Sequence, residues 1–183
     1  VCYGSFAPAG LLGCLHKNPD SMHWSPERKI HTQDALLDIV SGWRRQGLRC
    51  VFTNGCFDIL HEGHVRYLSE ARGLGDRLVV GLNADESVRR LKGPSRPVNR
   101  EGSRALVVAA LAAVDAVVLF GEDTPAGLIE KLSPDILVKG GDWPADQIAG
   151  ADWVLSHGGK VFSLQFHDGF STTSLMQKIQ SKP

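Results

Sequence analysis

Two histidines three residues apart, His61 and His64, follow the run Asn54-Gly55-Cys56-Phe57-Asp58 and flank Glu62-Gly63. Before that run, Cys50–Thr53 is short, β-branched and aromatic, as a central parallel strand requires, and Asn54-Gly55 is a strong breaker. After it, Gly63 opens a segment in which Val65, Leu68 and Ala71 keep helical spacing. On the first turn of a helix, positions 61 and 64 share a side, and Gly63 lets a ligand approach the backbone without meeting a Cβ. Free N–H groups, the positive end of a helix dipole and two imidazoles that titrate near neutrality make up a phosphate site. Two plainer uses stay open. Zinc ligation is one, although the metalloprotease pattern His-Glu-x-x-His is one residue longer and no third ligand is nearby. A structural role for both rings is the other.

Three further stretches carry groups suited to an anion. Lys92-Gly93-Pro94-Ser95-Arg96-Pro97-Val98-Asn99-Arg100 has two prolines, one glycine and three cations. It is therefore a loop, long enough to reach over a bound anion, although exposed cations are usually just solvated. Val138-Lys139-Gly140-Gly141-Asp142-Trp143 ends a strand in backbone N–H groups, a carboxylate and an aromatic plate, and its plain reading is a strand-end turn. Ser171-Thr172-Thr173-Ser174 precedes a helix, where hydroxyl residues are ordinary N-caps and where the same hydroxyls can cradle phosphate.

The elements that must position these groups follow from pattern. Ser25-Pro26-Glu27 and Thr32-Gln33-Asp34 open helices, the second carrying Ala35, Leu36, Ile39, Val40 and Trp43 and stopping at Gly47. Strands are expected at 50–53, 77–82, 115–120, 136–139 and 160–164. Helices are expected from Gly63, from Asn83-Ala84-Asp85-Glu86 to about Leu91, over 101–113, from Asp123-Thr124-Pro125 to about Leu132, within 145–155, and after Ser174. This alternation predicts a three-layer, Rossmann-like open α/β sheet of about five parallel strands with right-handed crossovers. Ligands bind such a sheet beyond the carboxyl ends of its strands, where strand order reverses. The Asn54 turn, the Asn83 turn, Gly140-Gly141 and the loop before Ser171 all fall on that edge.

Length and composition bound the rest. A chain of 183 residues builds one full domain. Residues 1–24, rich in Gly, Pro, Ala and Ser, read as an N-terminal extension, poorly structured or introduced in cloning, with Met22 a candidate start; residues 25–183 form the domain. Acidic and basic residues balance at 20 each, so no global field draws the protein to nucleic acid or an anionic membrane, and an anionic ligand must be caught locally. Cys2, Cys14, Cys50 and Cys56 show no paired spacing, which fits a reduced, cytoplasmic setting. Leu11-Leu12-Gly13-Cys14 looks like a lipoprotein cleavage site but lacks a basic start and a long apolar core.

Gly55-Cys56-Phe57-Asp58 followed by His61-x-Gly63-His64 resembles the signature of the cytidylyltransferase-like nucleotidyltransferases. The resemblance implies that His61 and His64 hold nucleotide phosphates and that Lys92 reaches the α-phosphate. It also implies a nucleotide site built from Asn54, Gly55, Cys56, Phe57, Gly63, Asn83, Lys139, Gly140, Gly141 and Asp142, with a Ser171-Thr172-Thr173 turn for the triphosphate. Lys92-Gly93-Pro94-x-Arg96-Pro97-x-Asn99 and Val138–Trp143 look like the matching segments of sugar-phosphate adenylyltransferases. From about Arg28 onward the sequence is similar to the heptose 1-phosphate adenylyltransferases, free-standing or as the transferase half of a bifunctional kinase/adenylyltransferase.

What this implies is adenylyl transfer from ATP, with Mg²⁺, to D-glycero-β-D-manno-heptose 1-phosphate, giving ADP-heptose and pyrophosphate, no resident metal, and a homodimer. Arg96, Arg104 and Asp58 would contact the acceptor, Asp58 alternatively orienting the histidines. One departure touches Arg104: relatives carry Asn-Pro and acidic residues before that arginine, whereas Asn99-Arg100-Glu101-Gly102-Ser103-Arg104 has a glycine in the helix's first turn. Glycerol-phosphate cytidylyltransferase, FMN adenylyltransferase, a non-catalytic nucleotide sensor and a metal hydrolase are the alternatives.

Overall fold

The computed structural model describes residues 24–144, 147–165 and 172–181. A short 3-10 turn at Pro26–Lys29 leads into six strands and seven helices in near-strict alternation. They are β1 (Ile30–His31), α1 (Gln33–Arg45), β2 (Cys50–Gly55), α2 (Glu62–Gly73), β3 (Arg77–Asn83), α3 (Asp85–Lys92) and α4 (Glu101–Ala109). Then come β4 (Ala116–Phe120), α5 (Ala126–Leu132), β5 (Ile136–Gly140), α6 (Ala151–Ser156), β6 (Lys160–Leu164) and α7 (Thr172–Gln180).

All strand pairings are parallel, in the order β1-β4-β3-β2-β5-β6. From β2 the chain builds outward through β3 to β4, then crosses back to lay β5 on the other side of β2. Strand order therefore reverses between β2 and β5, and the carboxyl ends of these two strands frame the crevice in which open α/β sheets hold their ligands.

Alternation along each strand splits the core into two layers. Phe52, Val79, Val118 and Leu137 face one side, where Leu36 and Val40 of α1, Leu128, Ile129 and Leu132 of α5 and Val154 of α6 cover them. Val51, Leu78, Val80 and Val138 face the other, against Tyr67, Leu68 and Ala71 of α2 and Ala105 and Val108 of α4. The run Cys50–Thr53 is buried throughout because helices cover both faces of its strand.

The sheet has six strands rather than about five. The additional strand, Ile30–His31, pairs with Val117 and Val118 at the sheet edge and is too short to show a period of two. The helix opened by Thr32 forms as expected, with the Thr32 side chain accepting from Ala35 N–H at 3.3 Å and Gly47 leaving the helix at φ +73°. Asn54-Gly55, read as a breaker, stays on the β3 ladder opposite Gly81 and Leu82. Ala84, not Asn83, is the N-cap residue of α3, and α4 ends at Ala109, short of Ala113. Residues 1–23, most of the expected N-terminal extension, lie outside the described residues.

Candidate active site

His61 is the N-cap residue of α2, directly beyond the end of β2. Its ring stacks on that of His64 at 3.9 Å between centroids, and its backbone N–H donates to His64 Nδ1 at 3.4 Å. That bond fixes the tautomer: Nδ1 accepts, so Nε2 carries the proton. Burial first, and then the neighbouring His61, push the His64 imidazole down to about 4, and burial lowers His61 as well. Both rings are therefore neutral donors at pH 7 rather than cations. Among the described residues no group of three or more His, Cys, Asp or Glu side chains is placed to hold a metal ion, so the zinc reading finds no third ligand.

Phe57 sits beneath the pair. It is 6 % exposed, lies 5.4 Å from the His64 ring and adopts φ +43°. A Cβ on Gly55 would approach the Phe57 ring to 2.9 Å, so the glycine is what allows the aromatic ring to fold back under the histidines.

Across the switch point, Lys139 at the end of β5 donates to Asn54 Oδ1 at 3.4 Å. Its pKa is lowered by burial first, with the Lys92 ammonium acting in the same direction and Cys56 against it. Lys92, the exposed last residue of α3, thus projects its charge toward the same point. Among the described residues no carboxylate pairs with either ammonium. Burial raises the Cys56 thiol, while Lys92, Arg104 and Arg96 pull it down, so the thiol lies in the same cationic neighbourhood.

At the end of β5, Gly141 takes φ +105° and donates its N–H to Leu164 O at 2.8 Å. The Trp143 indole, about half exposed, donates to Gly140 O at 3.1 Å and so lies against the strand end, beside an exposed Asp142. Thr172, the first residue of α7, donates from Oγ1 to Ile59 O at 3.4 Å. That bond places the threonine corner against the turn that carries His61. Ser171 and the Thr173 side chain lie outside the described residues.

Three residues expected to contact an acceptor turn inward instead. The Asp58 carboxylate, 1 % exposed, pairs with Arg96 Nε at 2.6 Å and accepts the Val98 and Asn99 N–H groups at 2.9 Å. Burial would raise its pKa; the Asn99 and Val98 amides and Arg96 outweigh that and hold the carboxyl below its ordinary value. All its strong acceptor positions face the loop, so Asp58 pins the Lys92–Asn99 loop to the histidine turn. Arg96 completes the clasp by donating to Met176 Sδ of α7 at 3.4 Å. Arg104 is fully buried and donates to Cys56 O, Asn83 O, Asn99 O and Asp85 Oδ1 at 2.6–3.0 Å. It ties together three segments of the site rim with four hydrogen bonds, and burial closes its side chain off from a substrate. Asn83 likewise spends its amide on Ser87 Oγ, at 3.0 Å.

Sequence patterns did not single out Tyr67 and Thr53. Their hydroxyls meet at 2.6 Å in the interior, between the histidine helix and β2. The available signal was a Tyr on the buried stripe of α2, where a hydroxyl needs a partner. A recess of about 140 Å³ lined by Arg44, Ser133, Asp135 and His157, among others, lies at the opposite, amino edge of the sheet and contains none of the motif residues.

The family model described as cytidylyltransferase-like matches residues 52–174, which include every site residue that the motifs singled out. Two proteins named "Bifunctional protein HldE" are close in sequence. The one from Rhodopseudomonas palustris is 58 % identical over 155 residues, covering 84 % of this chain and 32 % of the relative. The one from Rhodospirillum rubrum is 52 % identical over 171 residues, covering 93 % and 34 %. The chain thus spans about a third of the length of the curated relatives it matches. The crystal structure of the lipopolysaccharide core biosynthesis protein from Thermoplasma volcanium is 32 % identical, with TM-score 0.53, over 66 % of this chain and 98 % of that one. Fold, histidine turn and family match coincide over the same residues: the chain belongs to the cytidylyltransferase-like family of nucleotidyltransferases.

Proposed function

We propose that the protein transfers the adenylyl group of ATP to D-glycero-β-D-manno-heptose 1-phosphate, releasing pyrophosphate and ADP-heptose. The observation that carries this reading is the gathering around one switch point of two neutral imidazole donors, two ammonium groups with no carboxylate partner among the described residues, and Thr172 of α7. A triphosphate supplies the negative charge that this arrangement lacks. The heptose assignment is supported by the likeness of the Lys92–Asn99 loop and the Lys139–Trp143 turn to sugar-phosphate adenylyltransferases, and by relatives named HldE or described as a lipopolysaccharide core biosynthesis protein.

In this reaction a phosphate oxygen of the acceptor attacks the α-phosphorus, a new P–O bond forms, and the bond to the β-phosphate oxygen breaks with pyrophosphate leaving. The acceptor is already anionic at neutral pH and needs no base. The protein's share is alignment and charge stabilisation. His61 and His64 donate to phosphate oxygens, Lys92 and Lys139 offset charge that grows in the transition state, and Asp58 with Arg104 holds the loop and rim that carry them. The nucleotide enters as its Mg²⁺ complex, the ion belonging to the substrate. We place the reaction in the cytoplasm, consistent with free thiols at Cys50 and Cys56 and with no helix of the described residues being long and apolar enough to cross a membrane.

The test is incubation with Mg²⁺-ATP and heptose 1-phosphate followed by mass detection of the nucleotide sugar, with CTP, glycerol 3-phosphate and FMN in parallel arms. ADP-heptose formed in preference to every other product supports the proposal. Product only with CTP or with another acceptor moves the enzyme to a different member of the family. ATP binding without pyrophosphate release in any arm rejects catalysis altogether.

A further inference from the structure

β2 and β5 are sheet neighbours, yet their ladder runs only from Val51–Ile136 to Thr53–Val138. Beyond that rung each strand continues on its outer partner alone, β2 on β3 to Gly55–Leu82 and β5 on β6 to Gly140–Leu164. The strands part where the order reverses, and the gap between them is the floor of the crevice. Parting has a consequence for the backbone. In a parallel ladder, alternate residues direct both N–H and C=O to the same neighbour; Val138 still belongs to the last rung, whereas Gly140, the next residue on that side, lies beyond the ladder, its C=O taking the Trp143 indole N–H and its N–H having no β2 partner. Buried main-chain groups do not stay unpaired in native proteins.

One side chain fills this place. Tyr67 lies on α2 one turn after His64 and is 8 % exposed. Its hydroxyl is 2.6 Å from Thr53 Oγ1 on β2 and donates to Val138 O on β5 at 3.4 Å. Burial drives the phenol up to about 12; hydrogen bonds from Thr53 and from the Gly140 backbone oppose the rise, which puts the Gly140 amide on the same oxygen. Higher in the gap, Lys139 and Asn54 meet at 3.4 Å.

We propose that Tyr67 is a positioning residue for nucleotidyl transfer, its hydroxyl standing in for the missing β2–β5 rung and so fixing the width of the crevice and the seat of the histidine helix over it. One oxygen locks three elements: β2 through Thr53, β5 through Val138 and Gly140, and α2 through its own backbone. Asn54 and Lys139, each one residue beyond the last rung, and His64, three residues before the tyrosine, inherit their spacing from it. The inference rests on the reading of this crevice as the nucleotide site.

Tyr67→Phe keeps the ring and removes the oxygen. We expect ATP affinity, by calorimetry, to weaken about tenfold and kcat to fall by a similar factor, as sub-ångström displacement of binding groups does. Amide exchange should quicken in the peptide spanning residues 136–143 and stay unchanged in β3 and β4. The double variant Tyr67→Phe/Thr53→Val separates positioning from mere satisfaction of a buried hydroxyl. If the tyrosine only partners Thr53, removing both oxygens restores binding, since deleting both members of a buried pair is close to neutral. If it replaces a rung, the Gly140 N–H stays orphaned, the gap between β2 and β5 stays unbridged, and binding stays weak. ATP affinity and kcat within twofold of wild type in Tyr67→Phe, or recovery in the double variant, overturns the inference. A wild-type protein that binds no ATP overturns the nucleotide-site reading itself.

Discussion

The two edges of the sheet use charge in opposite ways. At the amino edge, Asp76, Asp115 and Asp135 each accept a strand-start N–H at 2.7–2.8 Å, from Arg49, Leu78 and Cys50. Arg49 pairs with Asp76, and Arg72 and Arg77 share Asp115. Acid meets base and amide, and the strand starts are closed off. At the carboxyl edge the acids Asp58 and Asp85 are likewise consumed, by Arg96 and Arg104, but these pairs sit under the rim. Above them the pKa of Lys139 is lowered by burial first and by the Lys92 ammonium as well. Among the described residues neither ammonium has a counter-ion; such like charges work against folding, and they persist where a ligand supplies the opposite charge.

The largest effect is expected where charge is unbalanced. Lys92→Ala, and separately His64→Ala, should lower kcat by roughly two to three orders of magnitude, the range for a lost donor to transition-state charge. Pyrophosphate release measures this. Because Lys92 is exposed and, among the described residues, lacks an acid partner, its removal should not lower the unfolding midpoint in urea. Near-normal turnover in both variants would erase the functional half of the contrast.

Next in size come the pairs beneath the rim. Arg104→Met fills the space but strands the Asp85 carboxylate and three carbonyls, and should cost about 3 kcal/mol of stability in urea titration. At the amino edge Asp115→Asn loses charged bonds that are partly exposed, and a smaller loss of about 1–2 kcal/mol is expected with turnover preserved. Lost turnover in Asp115→Asn at full stability would mean that the amino edge takes part in function and that the contrast is misdrawn.

How far the sequence carried these assignments depended on the range of the interaction. The central strand and the glycine-linked histidine turn are local patterns, and each appears where its residues placed it; of the hydroxyl run, Thr172 begins α7 and Ser171 lies outside the described residues. The two-residue strand Ile30–His31 was not legible, because its existence depends on the β4 edge 87 residues away in register. Asp58, Arg96 and Arg104 were recognisable as charged residues of the site but not in their direction. A carboxylate two residues after Cys56 looks the same in sequence whether it faces a sugar or the amides of Val98 and Asn99. Burial decides, and burial is a property of the packed chain. Tyr67 was hidden for the same reason: its stripe spoke for core, and only the parting of β2 from β5 gives its hydroxyl a task.

The smallest expected effect tests whether the histidines belong to the unbalanced edge as neutral groups. In the folded protein His64 protonates only near pH 4, against an ordinary value of 6.5. Between those limits the unfolded chain binds a proton that the folded chain refuses, so stability rises with pH across the window and falls as pH drops from about 6.5 toward 4. His61 and His31 are lowered by burial and act in the same direction, whereas the Asp58 carboxyl, also lowered, contributes only at more acidic pH. His64→Asn should therefore flatten the stability profile between about pH 4 and 6.5 by up to about one proton, and leave it unchanged above neutrality. Bound ATP should reverse the sign. A polyanion beside the imidazoles favours their charged forms, so binding below pH 6.5 should take up protons, visible as a buffer-dependent binding heat that His64→Asn reduces. Binding without proton uptake below pH 6.5 would mean that the pair is already charged in the free protein, and the imidazoles would then join Lys92 and Lys139 as cations.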